Sequence, residues 1–80
     1  MNSTTIRTKR SRASIEKWMT DRLHDQTGRT DCSLAPVGPL RDLLPDGANW
    51  YEAAYRGVRV QHEAIAQTIV NEARRLFNIS

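Results

Sequence analysis

The sequence predicts an all-α domain, a small bundle of two long and two short helices that follows a flexible basic N-terminal arm. Apolar residues recur at helical spacing in residues 15–26 and again in residues 58–77. Proline and glycine separate shorter apolar groups between these two segments. The chain has 80 residues, which is the size of one small domain. We therefore expect an arm of residues 1–10 and a single helical domain of residues 11–80.

The predicted arm carries the positive charge of the chain. Residues 1–12 contain no acidic residue and four basic ones, Arg7, Lys9, Arg10 and Arg12. The rest of the chain has eight basic and nine acidic residues, so the net charge of +3 comes from residues 1–12, that is, from the arm and the two residues after it. Such a segment can contact nucleic acid or another acidic surface through counterion release. It can equally be a solvated, flexible tail.

The first long helix is predicted from an apolar stripe at i, i+3, i+4 and i+8. The stripe consists of Ile15, Trp18, Met19 and Leu23. Ser11 is suited to cap the start of this helix, with Ser14 as an alternative cap. Gly28 is suited to end it in the left-handed conformation.

Two short helices are predicted in the middle of the chain, after a loop over residues 27–38 that mixes Thr, Asp, Ser, Gly and Pro. The loop either packs through Leu34 and Val37 or serves in recognition. Pro39 begins the first short helix, which turns its leucines inward, and Pro45 ends it. The second short helix covers residues 48–56, because Tyr51 and Tyr55 lie four residues apart.

The second long helix is predicted from Val58 to Phe77, with one apolar ridge along its length. Gly57 precedes it. The sequence leaves open whether Gly57 breaks the chain into a hairpin or only kinks one continuous helix.

The residue types that support catalysis or metal binding are sparse. Asp21, His24 and Asp25 cluster on the side of the first helix opposite the apolar stripe, which lacks the desolvated setting of a general base. Cys32 and His62 have no further ligands at a metal-binding spacing. We expect a non-enzymatic protein with no catalytic residue, no metal and no other cofactor.

The composition also suggests where the protein acts. No apolar run approaches the roughly 18 residues of a membrane span, and the N-terminus lacks the apolar stretch of a secretion signal. A single cysteine, Cys32, cannot form an internal disulfide. We expect an intracellular, cytoplasmic protein with no membrane partner.

The leading functional hypothesis is a binding protein that docks on a larger protein or nucleoprotein complex and modulates or inhibits it. The aromatic residues Trp50, Tyr51 and Tyr55 either pack in the core or contribute to a protein interface, where such residues dominate the energetics. A thin core gains from docking. The candidate partner-binding residues are Leu34, Trp50, Tyr51 and Tyr55. Small accessory proteins of bacteria and phages, including inhibitors of host defence complexes, have this size, although this is an analogy of size alone.

Two alternatives stay open. In the first, residues 40–56 form a helix-turn-helix of a dimeric DNA-binding regulator, with Asn49 and Arg56 contacting base edges. The acidic residues Asp42, Asp46 and Glu52 oppose this hypothesis because they repel phosphates. In the second, the chain is a homodimer with a structural role.

Overall fold

The computed structural model of the chain describes residues 6–80. It contains two α-helices, α1 (Arg12–Thr27) and α2 (Glu63–Leu76). It also contains four short strands, β1 (Thr8–Arg10), β2 (Ser33–Val37), β3 (Glu52–Arg56) and β4 (Phe77–Ile79). The predicted all-α fold class is therefore wrong. Strands replace the second short helix, part of the first loop and the described end of the arm.

The strands form two separate two-stranded sheets. β1 and β4 are parallel, with Thr8 opposite Phe77, so the two ends of the described chain lie side by side. β2 and β3 are antiparallel. The last described residues of the predicted flexible arm are thus a strand of the fold, whereas residues 1–5 lie outside the described range. The division of the chain after residue 10 stays a prediction.

Helix α1 confirms its predicted caps. The hydroxyl of Ser11 accepts a hydrogen bond from the Ser14 amide at 3.1 Å. Gly28 has a φ of 71° and donates its amide to the His24 carbonyl at 2.8 Å. The helix buries the predicted Ile15, Met19 and Leu23.

Helix α2 is shorter than predicted at its N-terminal end. A single 3-10 turn covers Val60–His62, and Val60 is exposed. Phe77, predicted as the end of the helix, begins β4 instead. Neither helix within residues 6–80 is long and apolar enough to cross a membrane.

The core lies between α1, α2 and one face of the β2–β3 sheet. Its largest fully buried side chains are Trp50, Ile15, Met19, Leu23, Leu34 and Val70. Trp50 also donates its indole N–H to the Phe77 carbonyl at 3.0 Å, which satisfies the only polar atom of its side chain. The core therefore joins β4 to the segment before β3.

The segment before β3 is a closed loop rather than the predicted helices. The Leu40 amide donates to the Asn49 carbonyl at 2.6 Å, and the Leu44 amide donates to the Ala48 carbonyl at 2.8 Å. These contacts fold the segment back on itself. Leu43, predicted to face inward, is 67% exposed.

The chain changes direction at Gly57, where the sequence left open a break or a kink. Gly57 has a φ of 65°, and a Cβ added to it would overlap the Asp31 carbonyl oxygen. Only glycine allows this close approach without strain. Gly57 therefore ends β3 and separates it from α2 instead of kinking one long helix.

Candidate partner-binding surface

One edge of the β2–β3 sheet is covered by helix α1. The Leu34 amide donates to Thr20 Oγ1 at 3.1 Å, and the same hydroxyl donates to the Leu34 carbonyl at 3.3 Å. Pro36 has no amide hydrogen. The main-chain groups of Leu34 and Pro36 therefore face away from β3, and the other residues of β2 form the ladder with it.

The opposite edge of this sheet, along β3, is open. Ala54 lies opposite Ala35 and directs its N–H and C=O toward β2. Because these groups alternate in direction along a strand, Ala53 and Tyr55 direct theirs away from the sheet. No strand within residues 6–80 pairs with β3 on this side. An open edge of this kind is a template for pairing with another chain.

A groove of about 530 Å³ runs beside this edge, between β3 and α2. The strand contributes Ala53 and Tyr55, Tyr51 lies directly before the strand, and the helix contributes Glu63 and Gln67. Tyr55 donates its hydroxyl to Gln67 Oε1 at 3.2 Å, so the ring is held across the groove. The open edge of β3 and this groove together are called the β3 surface below.

The β3 surface is acidic and aromatic. Tyr51 is 55% exposed and Tyr55 is 36% exposed. Hydrogen bonding to Glu52 and the charge of that carboxylate raise the pKa of Tyr51. Partial burial, with a smaller effect from the charge of Glu63, raises the pKa of Tyr55. Both effects keep the phenols neutral, and Glu52 and Glu63 are the charged residues that line the groove.

The four predicted partner-binding residues separate into two groups. Leu34 and Trp50 have no exposed surface in this structure, so they support the fold. Tyr51 and Tyr55 both line the β3 surface. Glu63 and Gln67 were not predicted as site residues, because the sequence does not show that α2 packs beside β3.

Asn49, predicted to contact bases, is tied to β4. Its side-chain amide donates to the Ile79 carbonyl at 2.7 Å and accepts from the Ile79 amide at 2.9 Å. The side-chain oxygen of Asn78, Oδ1, accepts a hydrogen bond from the main-chain amide of Asn49 at 3.1 Å. The two asparagines thus extend the edge of β4 as a further strand would.

Arg7, predicted to contact phosphates, is also tied to the fold. Its Nε donates to the Arg74 carbonyl at 2.7 Å, and Nη1 donates to the Asp46 carbonyl at 2.6 Å. Arg74 in turn pairs with the Asp46 carboxylate at 2.9 Å. A hydrogen bond from the Ala48 amide, together with the charge of Arg74, lowers the pKa of Asp46.

The other predicted basic residues lie at the surface. Lys9, Arg10, Arg12 and Arg56 are exposed, although Arg12 also donates to the Gly38 carbonyl. Arg56 lies on β3, so the helix on which it was predicted to meet DNA is absent. A helix-turn-helix across residues 40–56 is therefore not part of this fold.

Arg10 takes part in a row of contacting arginine and aromatic side chains that the sequence did not reveal. Its guanidinium carbon lies 4.5 Å from the centroid of the Phe77 ring. Phe77 meets Trp18 edge to face at 5.3 Å, and the guanidinium carbon of Arg22 lies 4.0 Å from the Trp18 ring. Cation–π contacts hold both arginines in place. We call these four residues the arginine–aromatic row.

The candidate catalytic and metal-binding residues do not converge. His24 Nε2 lies 2.7 Å from the Cys32 carbonyl oxygen, so the ring bridges α1 and the start of β2. The Cys32 thiol is free and buried. No group of three or more His, Cys, Asp or Glu residues within the described part of the chain could hold a metal ion. The absence of an enzymatic activity stays a prediction.

Comparison with protein-family models, with curated proteins and with solved structures found no match to this chain.

Proposed function

We propose that this chain is a non-enzymatic binding protein that docks on a larger protein, free or within a nucleoprotein complex, and modulates it. Docking occurs at the β3 surface, where an extended segment of the partner adds as a further strand. We also propose that it acts in the cytoplasm, which the buried free thiol of Cys32 supports.

The observation that carries the proposal is the open edge of β3. Strand addition gives affinity through main-chain hydrogen bonds and specificity through pockets for alternate side chains. β3 offers both, since Ala53 and Tyr55 direct their main-chain groups outward and the groove lies beside them. Natural edge strands are often protected by charged side chains, proline or a bulge. The central residues of β3, Ala53, Ala54 and Tyr55, include no charged residue and no proline.

The charge of the β3 surface favours a basic partner segment. Glu52 and Glu63 both line the groove, and Tyr51 and Tyr55 supply exposed aromatic area. Complementary charge raises the association rate and selects among partners. We therefore expect a partner strand that alternates Lys or Arg with small or aliphatic side chains.

The experiment is a selection of random displayed peptides against the purified chain. The enriched peptides should be basic and β-prone, and the Ala53→Pro variant should not bind them, because proline removes one outward amide hydrogen. The matched control is Ala53→Val, which keeps this amide with a side chain of similar size. Circular dichroism must show both variants folded. Enriched peptides that bind Ala53→Pro and Ala53→Val equally, or a selection without enrichment, would contradict the proposal.

The arginine–aromatic row favours a second candidate function, which is contact with nucleic acid. Among the described residues, the side chains of Arg10 and Arg22 make no hydrogen bond, and stacking on Phe77 and Trp18 holds their guanidinium groups in place. Arginine donors held in this way suit phosphate oxygens. Lys9 is exposed on the same short strand as Arg10.

Fluorescence anisotropy with labelled duplex and single-stranded DNA over a salt series tests this second function. If the row contacts phosphates, Arg10→Ala and Arg22→Ala should each reduce the slope of log affinity against log salt by about one. The control is Arg75→Ala, which removes an exposed arginine from α2. Equal slopes for all four proteins would remove the row from nucleic-acid binding.

A further inference from the structure

We propose that a second copy of this chain occupies the β3 surface when no other partner does, forming a two-fold dimer through antiparallel β3–β3 pairing. This inference rests on the proposed function, because it concerns the same edge. It adds that self-association regulates docking, since a foreign segment must displace the second copy. Three features of β3 support it: its main-chain directions, its charge pattern and its side-chain sizes.

The main-chain directions select the pairing register. Only Ala53 and Tyr55 direct their hydrogen-bonding groups outward, so these residues must meet each other across the interface. If the two-fold axis passes through Ala54, Ala53 of each copy lies opposite Tyr55 of the other. Each such pair exchanges two main-chain hydrogen bonds. In this register all five residues of β3 find a partner, whereas shifted registers leave one end of the strand unpaired.

The charge pattern fits the same register. β3 begins with Glu52 and ends with Arg56, so the antiparallel arrangement sets Glu52 of each copy opposite Arg56 of the other. Both side chains are exposed. Cross-strand pairs of opposite charge stabilise a sheet, and like charges at the same positions destabilise it. A strand that is oppositely charged at its two ends is therefore complementary to itself.

The side-chain sizes also match. Ala53 and Tyr55 face the groove, so Tyr55 of each copy would lie opposite the small Ala53 of the other. The groove of about 530 Å³ has room for this ring beside Glu63 and Gln67. At the centre, Ala54 meets Ala54 of the second copy, so the strands approach without a steric clash.

Charge exchange at the two ends of β3 tests the proposal. The wild-type chain should dimerise in sedimentation velocity as its concentration rises. Glu52→Arg carries two positive ends and Arg56→Glu carries two negative ends, so each variant alone should dimerise about tenfold or more weakly than wild type. An equimolar mixture of the two should recover a heterodimer. The Glu52→Arg/Arg56→Glu double variant should recover a homodimer.

The contradicting results are equally definite. A wild-type chain that stays monomeric at all concentrations, together with a monomeric mixture of the two variants, would overturn the proposal. A dimer that is insensitive to all these substitutions would also overturn it, because another surface would then be responsible. All variants replace exposed residues, and circular dichroism checks that they fold.

The failure of self-association and the failure of docking give different results. Peptides that bind a monomeric chain and require the Ala53 amide would leave the proposed docking function standing while self-association fails. A charge-dependent wild-type dimer, together with an Arg56→Glu variant that is monomeric and still enriches no peptide, would support self-association and count against the docking function.

Discussion

Replacement of Asn49 by alanine tests whether this residue, predicted from the sequence to contact bases, instead stabilises the fold through its hydrogen bonds to β4. The side chain makes two hydrogen bonds to Ile79, at 2.7 Å and 2.9 Å. Ile79 is only 4% exposed, so water does not readily replace the lost contacts. We expect Asn49→Ala to lower the free energy of unfolding.

The magnitude follows from the two main-chain groups that the substitution leaves unsatisfied. A buried donor or acceptor without a partner costs about 1–3 kcal/mol. With partial relaxation at this chain end, the total for Asn49→Ala is about 2–4 kcal/mol. Because a domain of this size loses about 4–8 °C per kcal/mol, the melting temperature should fall by about 10 °C or more.

The assay is urea denaturation followed by tryptophan fluorescence, with thermal melting by circular dichroism as a second measurement. The matched control is Asn71→Ala, which removes an exposed asparagine that accepts from Gln67 at 2.9 Å. This control should change the free energy of unfolding by less than about 0.5 kcal/mol. If Asn49→Ala is as stable as Asn71→Ala, the stabilising role assigned to the hydrogen bonds between Asn49 and β4 is wrong.

Three further predictions concern the fold. Leu23→Ala and Ile69→Ala each open a cavity where the wild-type side chain is at most 2% exposed. Each should lower the free energy of unfolding in urea by about 2–4 kcal/mol. A melting temperature within a degree or two of the parent would refute the assigned core. Gly28→Ala should lower the free energy of unfolding by about 1–2 kcal/mol, because of the left-handed backbone alone. Gly57→Ala should lower it clearly more, because the added Cβ overlaps the Asp31 carbonyl oxygen. Equal melting temperatures of the two variants would contradict this difference. The pKa of Asp46 is lowered in the folded chain, so its contribution is complete above the unfolded value of about 3.9 and is lost as the pH falls through the folded pKa. The Asp46→Asn variant should therefore lose less stability than wild type over this acid range, and parallel curves of stability against pH would exclude the effect.

The two long helices were predictable because their local sequence agrees with their tertiary environment. In α1, three apolar positions at helical spacing are buried, and Ser11 and Gly28 supply the caps. The apolar spacing and the caps both depend only on residues that are close together in the chain. The N-terminal end of α2 was misplaced because Val58 continues the spacing of the apolar ridge, although the helix begins at Glu63.

The strands were missed because their stability comes from distant parts of the chain. Tyr51 and Tyr55 lie four residues apart, which fits one turn of helix and equally fits two repeats of a strand. β2 contains Pro36, a residue that argues against a strand unless its missing amide faces away from the ladder. Here that requirement is met because α1, and not another strand, lies on that side.

The candidate site could be predicted only in part for the same reason. The aromatic residue types that are enriched at protein interfaces made Tyr51 and Tyr55 candidates, but the same reasoning also selected Trp50, which is buried. Glu63 and Gln67 join the two tyrosines only through the tertiary arrangement of α2 and β3. Arg7 and Asn49 are polar residues for which the sequence favoured solvent, and long-range hydrogen bonds direct both into the fold.

The central claim is that β3 has an open edge that is used for binding. Residue-resolved amide hydrogen exchange along β3 tests this claim most directly. In the monomeric Glu52→Arg variant, the Ala53 and Tyr55 amides should exchange fast, while the Ala54 amide, which faces β2, should exchange slowly. In the wild-type chain at high concentration, or with a selected peptide, the Ala53 and Tyr55 amides should become protected as well. Protection of Ala53 and Tyr55 in the monomer, or their fast exchange under every condition, would contradict the assigned edge and its role in docking.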